Sequence, residues 1–203
     1  GAFSSNRWQT AMYKNTLILV NGTDQPKQYD GTTVTDATYT GTTDNDFIAV
    51  NVYKERLYFV QKDSMSIWYG GAGNITGAVT EFPVGDFARL GGYILFTGSY
   101  TRDTGKGFED LFVIVTNMGE VLAYSGLDPS DTEWGLVGHY YMPPPISRRS
   151  FFNYNADLVV VTYLGAIPLS RIIDGIAAES DEAFVTNKIR DAFRRAALLY
   201  KDN

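Results

Sequence analysis

The chain has 203 residues, is 44% hydrophobic and 14% aromatic, and carries 17 Lys+Arg against 23 Asp+Glu, a formal charge of −6. With no Cys and one His it excludes disulfides, thiolate metal sites, thiol nucleophiles and His-pair metal centres, and leaves His139 as the single candidate base of a Ser-His-Asp triad. The acidic balance argues against a broadly basic nucleic-acid surface, no apolar run reaches the roughly 20 residues of a membrane-crossing helix, and no signal peptide is visible. The expectation is a globular chain with a sizeable core.

In chain order the first apolar strand is Leu17–Val20, followed by a polar turn from Asn21 to Asp24 and then Lys27–Gly31. Leu57–Val60 leads through Gln61–Ser64 to Ser66–Gly70, and Leu111–Val115 through Thr116–Gly119 to Val121–Gly126. Leu158–Val161 passes through Tyr163–Gly165 to Ile167–Ser170. The starts recur after 40, 54 and 47 residues. A continuous apolar strand reads as buried on both faces and its alternating partner as half exposed. One hairpin per repeat of this length is the signature of a propeller.

Flanking strands complete the units. Phe47–Tyr53 precedes one hairpin across Lys54–Arg56, and Gly91–Thr97 precedes the next, separated from it by a polar loop, Gly98–Glu109. Ala78–Pro83 and Gly135–Tyr141 read as outer strands. Ten of the 19 threonines fall within residues 1–50, which suits exposed strands and turns, with low-complexity disorder as the alternative.

Composition changes near residue 171: 19 of the 20 glycines and all seven prolines precede it. Residues 171–203 balance six basic against six acidic side chains, so residues 1–170 carry the whole acidic excess. From Asp181 to Lys201, apolar residues recur at helical spacing, with Ser180 placed as N-cap, acids in the first turn and Asp191 four residues before Arg195. The fold expected is all-β and β-propeller-like, about four blades, closed or open and partial, over residues 1–175, with one C-terminal amphipathic α-helix within 176–203. The helix packs on the blades or on a neighbouring molecule. Four blades beside uncapped-looking ends suggest a piece of a longer protein.

Catalytic patterns do not assemble in the sequence. Gly105–Lys106–Gly107 lacks the Ser or Thr and the following helix that a phosphate loop needs, and Gly70–Gly73 lacks the Lys. Asp44 with Asp46, and Glu109 with Asp110, are the acids that a sugar-processing propeller would use, yet such residues more often close turns. Asp44–Asn45–Asp46 offers too few oxygens for a calcium site. His139 has no Gly-x-Ser-x-Gly nucleophile to serve and reads as a structural or interface residue. Two Asn-x-Thr sequons begin at Asn21 and Asn74. Tyr29, Tyr69 and Tyr124 occupy one repeat position, which suits packing between blades. Tyr140–Tyr141–Met142–Pro143–Pro144–Pro145 is a stiff, aromatic-flanked segment and the candidate partner contact. No catalytic residue, metal site or cofactor is expected.

Leu19–Asp24 with Tyr29–Gly31, and Glu55–Val60 with Ile67–Tyr69, resemble a family of tailed-bacteriophage and prophage structural proteins. Gly119–Val121, Tyr124–Ser130, Trp134 and Val137–Tyr140 are similar to its middle section, and Asp157–Leu158 with Gly165–Ser170 to its closing motif. The resemblance covers roughly residues 7–195. It implies a virion component of the tail or neck, made in the bacterial host cytoplasm, with propeller-like domains assembled in rings through which DNA leaves. The partners implied are other tail or neck proteins and further copies of the chain, without tight nucleic-acid binding or a membrane. Family members run longer at both ends. A carbohydrate-binding or glycoside-processing β-propeller is the alternative.

Overall fold

Each sequence repeat folds as an antiparallel meander. The computed structural model describes residues 3–103, 105, 107–177 and 180–200, and its contacts divide into two units at Thr97/Gly98. In the first unit β1 (Gln9–Tyr13), β2 (Thr16–Val20), β3 (Lys27–Tyr29) and β4 (Val34–Asp36) form one sheet in chain order. The second sheet is β6 (Phe47–Tyr53), β7 (Arg56–Gln61), β8 (Ser66–Gly70) and β9 (Gly77–Pro83), with β5 (Tyr39–Thr40) added parallel to β9. The third sheet is β10 (Ile94–Asp103), which begins ahead of the division, then β11 (Phe108–Thr116), β12 (Glu120–Ser125) and β13 (Gly135–Tyr141). The fourth has three strands, β14 (Phe151–Tyr154), β15 (Asp157–Val161) and β16 (Ala166–Pro168). Four blade-like sheets in succession and a C-terminal helix make the fold all-β and propeller-like. The threonine-rich opening is ordered strand and turn.

Local chemistry explains the hairpins. Lys14 and Asn15, and again Lys54 and Glu55, all take positive φ, as a two-residue primed turn between twisted strands requires. Asn155 does so in the third such turn. A Tyr stands before each of these turns and a Leu four residues after it: Tyr13 with Leu17, Tyr53 with Leu57, Tyr154 with Leu158. This part of the repeat carries β1 and β14, which the apolar pattern alone did not reveal.

The central strands β7, β11 and β15 are buried on both faces over their apolar cores. In the first unit β6 packs on β1 and β2, enclosing Ile18, Val20, Tyr39, Phe47, Leu57 and Phe59. The Phe47 and Phe59 rings stack at 4.5 Å, and Tyr39 lies 4.4 Å from Phe59. Each such ring pair adds about 0.5–1.5 kcal/mol beyond the area it buries.

Three expectations are corrected. The loop Gly98–Glu109 is mostly strand: β10 continues to Asp103 and β11 starts at Phe108, because Thr101 and Asp110, and Arg102 and Glu109, pair side chain to side chain. The strand expected over Ile167–Ser170 stops at Pro168 and turns into a short helix, α1 (Leu169–Ile173), whose Leu169 and Ile172 are buried. The helix expected from Asp181 begins at Arg190, as α2 (Arg190–Tyr200), after two short 3-10 turns. Tertiary pairing overrides periodicity here: the Val185 N–H donates to the Ala166 carbonyl, and the Ala166 N–H donates to the Thr186 hydroxyl. That draws Phe184 into extended backbone and buries its ring. Ser180 makes no side-chain cap bond, and Lys201 lies outside the described residues.

Candidate functional site

The polar residues that sequence reading offered for chemistry close turns and strand ends. Asp44 Oδ2 accepts from Gln25 Nε2 at 2.8 Å and from the Tyr39 N–H at 2.9 Å, fastening the chain across 19 residues. Burial, with the Asp44 charge second, pushes the Tyr39 hydroxyl well above the ordinary tyrosine range. Asp46 uses its backbone carbonyl to receive the Lys62 N–H. Glu109 is held by Arg102, Nε at 2.8 Å and Nη2 at 2.6 Å, while Asp110 accepts from the Thr101 hydroxyl at 2.7 Å. Asp44, Glu109 and Asp110 each hold a local partner through the carboxylate, and Asp46 does so through its backbone.

The same holds at the repeat turns. Asn21 is buried; its Oδ1 accepts from the Thr23 and Asp24 N–H groups and its Nδ2 donates to Asp24 at 2.6 Å, so the first sequon is consumed inside a turn. Thr116 and Thr162, equivalent in the repeat, are fully buried. Thr116 Oγ1 accepts from the Glu120 N–H, and Thr162 Oγ1 donates to the Gly165 carbonyl at 2.8 Å. Asn74 of the second sequon is exposed in a turn. Tyr69 and Tyr124 are buried as their repeat position implied, but Tyr29 is 37% exposed and bonds to the Gly31 carbonyl.

The densest polar arrangement lies on β12 and β13. Glu120, with 0% of its side chain exposed, faces the nearly buried His139, whose Nε2 meets Glu120 Oε1. The register explains it: Leu122 lies opposite His139 and Glu120 opposite Tyr141, so the four side chains share one sheet face. The His139 and Tyr141 rings are 5.1 Å apart. Glu120 is the residue that sequence reading left without a role. Its signal is a single acid heading the otherwise apolar run Val121–Ala123. A buried carboxylate needs a paired, hydrogen-bonded partner, and the chain's one histidine supplies it.

This pair sits where the candidate contact segment begins. The Met142 N–H donates to the Gly119 carbonyl at 2.8 Å, Pro145 bridges to Thr162, and the Ile146 N–H donates to the Val161 carbonyl. Gly119 has φ +81, and a Cβ there would strike the Met142 carbonyl oxygen. Met142 and Pro145 are buried, Tyr140 and Pro143 half-buried, and Tyr141 and Pro144 exposed. The segment is thus a fastened strap from β13 to the fourth sheet, offering Tyr141 and Pro144 outward.

Next to it, the β12–β13 loop is pre-formed. Asp128 Oδ1 accepts from the Ser130 N–H and hydroxyl, the Asp131 N–H donates to the Asp128 carbonyl, and the Trp134 N–H to the Asp131 carbonyl. Trp134 then stacks on Tyr124 at 5.5 Å. Gly126, at φ +121, lies so near Trp134 that a Cβ would stand 2.9 Å from its Cα. Leu127, Asp131 and Glu133 point outward from this frame.

Among the described residues no helix is long and apolar enough to cross a membrane, and no group of three or more His, Asp or Glu side chains is placed to hold a metal ion. No protein-family model matches the chain, and no curated protein matches it. Among solved structures it is similar to the computationally designed Ika8 protein, at 10% identity and a TM-score of 0.36. The likeness covers 74% of this chain and 54% of the designed one, so the chain spans about half of that protein's length. At that TM-score it bears on neither fold nor function.

Proposed function

We propose that the chain is a non-enzymatic structural protein of a tailed-phage or prophage particle. It works as a scaffold in the tail or neck through protein–protein contacts, made in the host cytoplasm and carried in the virion. The observation that supports this most is the use of the polar side chains against the placement of the apolar ones. The acids and hydroxyls named above close turns, whereas large apolar side chains stand outward on β13, its loop and α2. Exposed apolar side chains rimmed by charge mark surfaces that bind other proteins. The resemblance of the repeat motifs to tail and neck proteins supplies the setting.

The partners are other tail or neck proteins and further copies of the chain. DNA is not gripped, because a net charge of −6 repels phosphates instead of neutralising them. Light scattering behind a sizing column, across a concentration series, tests the reading: a mass that rises with concentration is the expected result. A constant monomer mass together with binding on a glycan array overturns it in favour of a carbohydrate-binding propeller.

A further inference from the structure

Two exposed surfaces of the second unit carry opposite charge around apolar centres. From Lys188 through α2 stand Lys188, Arg190, Arg194 and Arg195 against Asp191, with Arg190 paired to Asp181. Among them Ile189, Leu198 and Leu199 are exposed, Leu199 to 75%. The helix seats itself with Ala197, which is buried, and Phe193, half-buried, leaving the flank of Ile189, Ala192, Ala196 and Leu199 uncovered. The surface from Leu127 to Val137 is the complement: Asp131 and Glu133 are exposed and Asp128 half-buried, with no basic residue in that stretch, around exposed Leu127 (62%), Leu136 and Val137.

We infer that α2 of one copy docks on the Leu127–Val137 surface of a second copy, head to tail. This rests on the assembly reading above and names its surface. Both surfaces are exposed in the same molecule, so a copy's own helix does not cover its own loop. The helix and its approach are basic within a chain of net charge −6, so everything outside that stretch is more acidic still. An anionic lipid surface or a nucleic acid would attract the helix and be repelled by the remainder. A second copy offers acid and apolar area together at one place. The loop is rigid before contact, braced by Trp134 on Tyr124 and the Asp128 bonds, which lowers the ordering cost of docking. Joining two different patches of one chain gives a heterologous contact, which closes into a ring or extends as a chain.

The test uses sedimentation velocity on the full chain and two surface variants. The helix variant carries Arg194→Glu, Arg195→Glu and Leu199→Asp; the loop variant carries Leu127→Asp, Asp131→Lys and Glu133→Lys. Circular dichroism melts check that both are folded. The wild type self-associates, less so as salt rises, and each variant alone associates at least roughly tenfold more weakly. Mixed, the variants form one-to-one dimers, because one intact helix meets one intact loop. If the wild type associates and both variants do so equally well, this surface is wrong while the assembly reading stands. If both variants are weakened and the mixture does not pair, the head-to-tail contact is overturned. If the wild type stays monomeric, the docking falls, while the assembly reading falls only where the glycan array also binds. Binding of the wild type to phosphatidylserine vesicles, lost in the helix variant and without pairing in the mixture, assigns α2 to a lipid surface and overturns the proposal.

Discussion

Asp24 and Asp30 show how single side chains set the stability of this protein. Hydrogen bonds from Asn21 and then Ser4 hold the Asp24 carboxyl below the ordinary carboxylate range, and the N–H groups of Thr33 and Thr32 do the same for Asp30. A depressed folded-state pKa means stability present above the unfolded value, about 4, and lost as pH falls through the folded value. Asp30→Asn should therefore lower Tm at neutral pH and flatten its decline below about pH 4, so that variant and parent converge in acid, read by melts across a pH series. Glu120 is a separate case, a fully buried acid that meets His139. Glu120→Ala should cost about 3–5 kcal/mol in urea titrations, while Glu120→Leu combined with His139→Leu recovers most of that loss. The sequence reads His139 as a structural or interface residue but does not show that Glu120 is its partner. The pairing depends on β12 and β13 being adjacent and in one register, and only the strand assignment was visible beforehand.

Among the elements, what a sequence shows is periodicity, and periodicity served the strands better than the helix. β8, β9 and β13 match their expected spans closely because their turn residues punctuate them. The N-terminal nine residues of the expected helix have helical spacing too, yet the chain there lies beside β16 and bonds to Ala166. Spacing records which residues are apolar and does not record what they face. β1 and β14 escaped notice because Gln9–Tyr13 and Phe151–Tyr154 lack a run of aliphatic residues; a Tyr before and a Leu four residues after each turn was the usable signal. The strap from β13 to the fourth sheet yields a prediction at this scale. Gly119→Ala places a side chain at positive φ against the Met142 carbonyl, and should lower unfolding stability by about 2 kcal/mol or more in the same titrations. Thr162→Val, which leaves the Leu164 and Gly165 N–H groups without their hydroxyl, should cost about 1–3 kcal/mol.

For the molecule as a whole, charge governs behaviour in solution. The amino-acid composition gives an isoelectric point of about 4.8, so general repulsion between copies weakens as pH falls toward it, and non-specific clustering should be greatest there. A turbidity scan from neutral to pH 4.5 measures it, with clustering expected to peak within about half a unit of that value. The helix–loop contact has the reverse dependence on salt: added salt screens the general repulsion and also weakens this attraction. The propeller-like class was legible from four hairpins recurring at blade-like intervals. Which large apolar side chains stand exposed was not, because that depends on how the sheets and α2 pack.

The margin of β16 has a consequence of a different kind. Its outward backbone groups are already taken, Ala166 by Val185 and Thr186, and Pro168 has no N–H to offer. The tail therefore acts as a guard against strand-by-strand growth. Proteolytic trimming after Ala177 would strip that guard, bare the Ala166 N–H and carbonyl, and uncover the place where Phe184 was buried. A nicked preparation would then be expected to seed fibrils that the intact chain does not form.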